Sequence, residues 1–189
     1  MNDHECLILR LSTQPPKPGL RPGLIGLAIA AAITAPVALF LGTLGLRHDL
    51  ALAWTNPVVP FKTLLPLVTC ALSATLLLHL IRPEARPGLA PVGYLLPGAI
   101  ALSLWIAAFA IRAPTERFAE VGVKSLAECL ASILLLSIVP TFVALRAVRR
   151  GASTNPGLSA ALAGLTSATC AATGYSLFCT RDNPLFFVI

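Results

Sequence analysis

The sequence predicts an all-α fold, a polytopic membrane bundle of five helical spans. Of 189 residues, 56% are hydrophobic and only 12% charged, and the mean hydropathy is +0.81, outside the range of soluble globular proteins. The apolar residues fall in blocks of about 20, the length a helix needs to cross ~30 Å of hydrocarbon at 1.5 Å per residue. The net charge of +6 is spread among the loops between these blocks and forms no continuous basic stripe. That pattern argues for positive-inside topology and a lipid bilayer as partner, and against direct nucleic-acid binding.

Residues 1–23 form a polar tail, "NDHECLILRL" followed by the proline-rich "STQPPKPGLRPG". Leu7, Ile8, Leu9 and Leu11, with Arg10 among them, have the makings of a short amphipathic turn. The tail is either loose, as termini commonly are, or a docking segment that orders on a partner. No signal peptide is expected here, because the basic part is long and the following apolar block exceeds a usual h-region.

The transmembrane domain is expected over residues 24–179. The first span, 24–46, is uncharged and contains Pro36. A polar loop with Trp54, suited to a membrane interface, leads to the second span, 61–81. His79 near its far end stands without a second intramembrane His or carboxylate and is assigned no role. A proline-rich turn precedes the third span, 92–111. In the charged loop that follows, Glu116 and Glu120 stand at i,i+4, which a solvated face explains.

The fourth span, 125–147, starts with Glu128 and Cys129 and leads into a basic turn, Arg149-Arg150-Gly151. As one of the few acidic residues near hydrocarbon Glu128 is a functional candidate, but a first-turn glutamate favoured by the helix dipole and reaching the headgroups is the stronger reading. The fifth span, 157–179, repeats small residues every four positions, in Ala160, Gly164 and Ala168 and again in Ala163, Ser167 and Ala171. Such stripes let helix backbones approach closely, so this helix belongs at the centre of the bundle. Residues 180–189 are a short C-terminal tail that ends apolar.

Arg10, Lys17, Arg21, Arg82, Arg86, Arg146, Arg149 and Arg150 fall on one side, eight cations; Arg47, Lys62, Arg112, Arg117, Lys124 and Arg181 make six on the other. The excess predicts a cytoplasmic amino terminus. The fourth helix then runs out to in and the fifth in to out, which brings Cys129 and Cys179 level at the outer surface in either orientation.

The five cysteines contain no CxxC and no zinc-knuckle repeat. Cys6 lies in the tail, and Cys70 and Cys170 fall mid-membrane as packing residues. For the level pair Cys129 and Cys179, four roles are open: inert packing, a bridge, thiophilic metal binding, or electron shuttling. No catalytic carboxylate pair, triad, metallohydrolase or nucleotide-binding motif is present, so neither an enzyme nor a cofactor is expected.

The stretch "CLASILLLSIVP" and then "ALRAVRRGASTNPGLSAALAGLTSATCAATGYSLFCTRDNPLFF" carries a recognisable pattern: Cys129, Pro140, Arg150-Gly151-Ala152, Pro156, Ala163-Gly164, Gly174-Tyr175, Leu177, Cys179, Asp182 and Phe186. It resembles the NrsF family, bacterial inner-membrane anti-sigma factors that hold an extracytoplasmic-function sigma factor inactive. The likeness is strongest from Cys129 onward and looser before it, through "HECLILRLSTQP" and the "RHDL" loop. It implies a cytoplasmic amino-terminal segment, here Leu7, Ile8, Leu9, Arg10 and Leu11, that engages the sigma factor. It also implies a periplasm-facing cysteine pair, here Cys129 and Cys179, as the stress-sensing element. This chain departs from the pattern by stopping at Ile189, where members continue through a Trp-Tyr pair and a sixth helix, so five spans are expected. Two rival readings are a small transporter or channel component, whose path would have to be lined by Ser and Thr, and a membrane thiol-redox protein.

Overall fold

The computed structural model describes residues 5, 6, 8, 12, 13, 22–81, 95–113, 115, 117, 122–150, 153 and 155–182. Its main helices are α1 (Pro22–Leu44), α2 (Val58–Leu80), α3 (Leu96–Ile111), α4 (Val123–Arg150) and α5 (Pro156–Ser176), with a four-residue helix, Leu50–Ala53, in the loop between α1 and α2. By length and composition α1, α2 and α4 can each cross a membrane, over Gly23–Leu44, Val58–Leu80 and Lys124–Arg150. The third helix has 16 residues, and residues 92–94 of the expected third span lie outside those described.

The bundle is apolar outside, and its interior mixes leucine and isoleucine with small and hydroxyl-bearing side chains. Leu27, Leu39, Leu134, Leu135 and Phe142 point outward, whereas Ser73, Ser159, Thr166 and Ser167 are fully buried along with Leu77 and Ala163. This distribution suits a hydrocarbon solvent, in which association rests on close packing and interhelical hydrogen bonds rather than on expelling apolar surface from water.

The fifth helix is central, packed on α2, α4 and α1, while α3 packs chiefly on α2. Where this helix faces protein it need not be apolar, which accounts for its buried Ser159, Thr166, Ser167 and Ser176. Of its two small-residue stripes, one is the packing face: Ala163, Ser167 and Ala171 are buried, with Ser159 and Gly174 extending the line. The other stripe is not, since Ala160 and Ala168 are exposed. At Gly174 an added Cβ would lie 2.6 Å from a Val37 methyl, so glycine is what lets α1 approach α5 there.

α2 and α5 run antiparallel in a fixed register. Ser176 donates to the Thr63 hydroxyl (3.0 Å), Cys70 is joined to Cys170 by a disulfide (Cα–Cα 5.6 Å), and Thr166 donates to the Ser73 hydroxyl (2.9 Å). The positions descend one helix as they ascend the other. This corrects the expectation that Cys70 and Cys170 are separate packing residues: they lie at one depth on neighbouring helices, within bridging distance.

The helix ends also differ from the expected spans. Arg149 and Arg150 are the last turn of α4 rather than a turn beyond it, where the C-terminal dipole favours cations. α5 begins at a capped end, with the Asn155 side chain accepting from the Leu158 N–H (3.1 Å) and Pro156 in its first turn. It stops at Ser176, so Cys179 lies past the helix rather than at its end. α1 closes on Gly45, whose φ of 86° is the left-handed cap, with its N–H bonded to the Leu41 carbonyl (2.9 Å).

Candidate functional site

The sulfurs of Cys129 and Cys179 pack together with Leu126 and Tyr175 at one end of the bundle. Alternating helix direction puts the start of α4 and the end of α5 at the same end, and a turn then swings Cys179 inward. In that turn the N–H groups of Phe178 and Cys179 both donate to the Tyr175 carbonyl (3.1 and 3.0 Å). The two cysteines are 8% and 6% exposed and neither is bridged. The Cys129 sulfur and the Tyr175 hydroxyl are hydrogen-bonded at 3.0 Å.

Tyr175 connects this pair to α1. Its ring lies 6.1 Å from that of Phe40, which also meets Phe178 edge-on at 5.3 Å. Together with Val37 against Gly174, these contacts hold the last turns of α1 on the segment that carries Cys179.

A polar clamp fixes the same segment from the other side. Lys62, in the first turns of α2 and only 9% exposed, donates to the carbonyls of Cys179 (3.2 Å) and Arg181 (2.7 Å). Its ammonium is also 4.0 Å from the Asp182 carboxylate. Arg47, just past α1, holds Asp182 at 2.8 Å, pairs with Asp49, and donates its backbone N–H to the Leu177 carbonyl (3.3 Å). The hydrogen bond from Arg47 holds the Asp49 carboxyl below the usual carboxylate range, and bonds to Asp49 and then Asp182 raise the Arg47 guanidinium further.

Among the described residues, two hollows open at this end of the bundle. A partly open cleft of about 580 Å³ between α2, α3, α4 and α5 is lined largely by apolar side chains and reaches Cys129, Tyr175 and Cys179. A polar hollow lined by Arg112, Thr180, Arg181 and Asp182 touches neither cysteine. Among the described residues no group of three His, Cys, Asp or Glu side chains comes together, so two sulfurs are the whole soft donor set at this end.

The sequence placed Cys129 and Cys179 at one level, and the structure brings them together. Of the five tail residues expected to engage a partner, Ile8 is exposed, and Leu7, Leu9, Arg10 and Leu11 lie outside the described residues. Glu128 and His79 both face outward, in keeping with headgroup or solvent contact. Tyr175, Lys62, Arg47 and Asp182 had no assigned role from sequence. One signal was available: a lysine within the first two turns of an apolar helix opposes the helix dipole and needs a partner.

A negative regulator of sigma F, NrsF, is the family whose model matches, over residues 9–189. A probable anti-sigma-F factor NrsF from Azospira oryzae is 36% identical over 166 residues, covering 85% of this chain and 75% of the relative. No solved structure matches the chain. With the matched region taking in both cysteines and all five main helices, the chain belongs to the NrsF family of negative regulators, which act on transcription as anti-sigma factors.

Proposed function

We propose that this chain is a bacterial inner-membrane anti-sigma factor whose cytoplasmic tail sequesters an extracytoplasmic-function sigma factor. It releases that factor when Cys129 and Cys179, facing the periplasm, are oxidised or bound by a thiophilic metal. The observation that carries the reading is the contact of both thiols with the segment 174–179, which also bears on α1 through Tyr175 and Phe40. α1 is the first main helix after the tail in the chain. A change that draws the sulfurs together, or separates the Cys129 sulfur from the Tyr175 hydroxyl, therefore alters the seat of the one helix that leads to the partner-binding segment.

The energy scale sets a condition on such a switch. A disulfide contributes roughly 2–4 kcal/mol, whereas moving a two-state equilibrium from 1:99 to 99:1 takes about 5.5 kcal/mol. The resting state must therefore be poised near balance. Cys129→Ser and Cys179→Ser should each blunt induction of a sigma-dependent reporter while leaving repression intact, and normal induction in both variants would refute the sensing role. Affinity capture with residues 1–23 should recover a sigma factor from cell extract; recovery of none would remove the tail from the partner interface.

A further inference from the structure

We propose that the reagent that reacts with Cys129 and Cys179 is a membrane-dissolved quinone, admitted along the apolar cleft between α3 and α4. The inference rests on the thiol-pair reading above and names its oxidant. Both thiols are nearly closed to solvent, at 8% and 6% exposure. The polar hollow at the same end touches neither of them, whereas the apolar cleft reaches both. Among the described residues, the path that reaches the sulfurs is therefore one suited to a reagent that travels in the hydrocarbon.

The cleft also has the shape and polarity of such a ligand. Its volume of about 580 Å³ lies within the range of small-molecule pockets, ~300–1,000 Å³. Gly98 and Ala101 of α3 and Ala168 and Ala172 of α5 line it with small side chains, leaving room for a flat ring. The Thr69 and Thr169 hydroxyls on its wall donate to carbonyls of their own helices, Leu65 (2.8 Å) and Leu165 (2.7 Å), so that wall takes an apolar body. At the thiol end the Tyr175 hydroxyl is placed to donate to a carbonyl oxygen. A quinone combines a flat ring, an apolar tail and two carbonyl acceptors.

The reaction balances without a further reactant. A sulfur–sulfur bond forms between Cys129 and Cys179, and the two thiol hydrogens with two electrons pass to the quinone. Its two carbonyls become hydroxyls, and a hydroquinone leaves by the same cleft.

The test uses the full chain with Cys6→Ser, its Cys70–Cys170 bond left closed and Cys129 and Cys179 as thiols, held without oxygen in lipid nanodiscs, with a short-tailed benzoquinone as probe. One hydroquinone per chain and a Cys129–Cys179 link, mapped by mass spectrometry, are expected. Gly98→Leu, at a position where an added Cβ meets no atom within 4 Å, should fill the cleft and slow the quinone reaction at least tenfold. Bridging by excess diamide should remain intact in that variant, which shows that it is folded. A link formed by diamide but not by the quinone, or a quinone rate unchanged in Gly98→Leu, overturns the proposal and leaves the thiol pair standing; the second result would mean that the cleft holds only lipid chains. No link with either oxidant removes both this proposal and the oxidative arm of the reading beneath it.

Discussion

The Tyr175 hydroxyl lies 3.0 Å from the Cys129 sulfur, while the same side chain's ring rests against Phe40 of α1. Removing the hydroxyl alone separates the two contacts. Tyr175→Phe should keep the ring packing, lose about 0.5–1.5 kcal/mol of stability, and speed alkylation of Cys129 by a lipid-soluble maleimide a few-fold. Unchanged stability and alkylation would show that the hydrogen bond contributes nothing.

Gly174 faces the β-branched Val37, whose methyls have little rotameric freedom to move aside. Gly174→Ala should therefore destabilise the bundle by about 1–3 kcal/mol, as overpacking does. Adding Val37→Ala should recover most of that loss, and chemical unfolding of the single and double variants in detergent reads the coupling. Independent, additive effects would place the strain elsewhere.

Acid should loosen the loop between α1 and α2. The Asp49 carboxyl is held below its ordinary value by the hydrogen bond from Arg47. A group whose pKa is depressed by folding contributes its full stabilisation above the unfolded value, about 3.9, and loses it as pH falls through the lower folded value. Proteolytic nicking of residues 45–57 should thus rise on acidification through that window and stay flat at neutral pH. Asp49→Asn should abolish the rise.

Lys62 supplies the donor to the Cys179 and Arg181 carbonyls from a nearly closed position. Lys62→Met keeps the stem and removes that donor, at a cost of about 1–3 kcal/mol for buried polar groups left to find other partners. Exchange of the 179–182 amides should quicken while that of α4 is unaffected. Equal protection in both chains would show the clamp to be dispensable.

The Cys70–Cys170 bond closes a sequence separation of 100 residues. Cys70→Ala should lower resistance to unfolding by about 2–4 kcal/mol. Peptide mapping without reductant should recover the 70–170 link in the natural sequence, and two free thiols there would contradict it.

How much of this was legible in the sequence follows from what apolar blocks encode. They mark where the long helices run and how they alternate, so the placement of Cys129 and Cys179 at one end of the bundle followed from alternation alone. They do not fix rotation about the helix axis in α1, α2, α3 and α5, which lack an amphipathic stripe to mark the inner face. Two stripes on α5 were therefore equally good candidates for the packing face, and only the one through Ala163, Ser167 and Ala171 is buried. Cys70 and Cys170 could each be assigned to mid-membrane, but joining them required knowing that α2 and α5 are neighbours, a fact set by tertiary packing. Tyr175, Lys62 and Arg47 were hidden for the same reason: each matters through a partner more than 40 residues away.

The Cys70–Cys170 bond has a mechanical consequence. Fastened at mid-depth, α2 and α5 cannot slide past one another like a piston in its sleeve. On the function proposed above, a disturbance beginning at Cys179 would leave sideways, by pivoting α1 or α4 about that stationary pair, and the message would travel as a change of tilt.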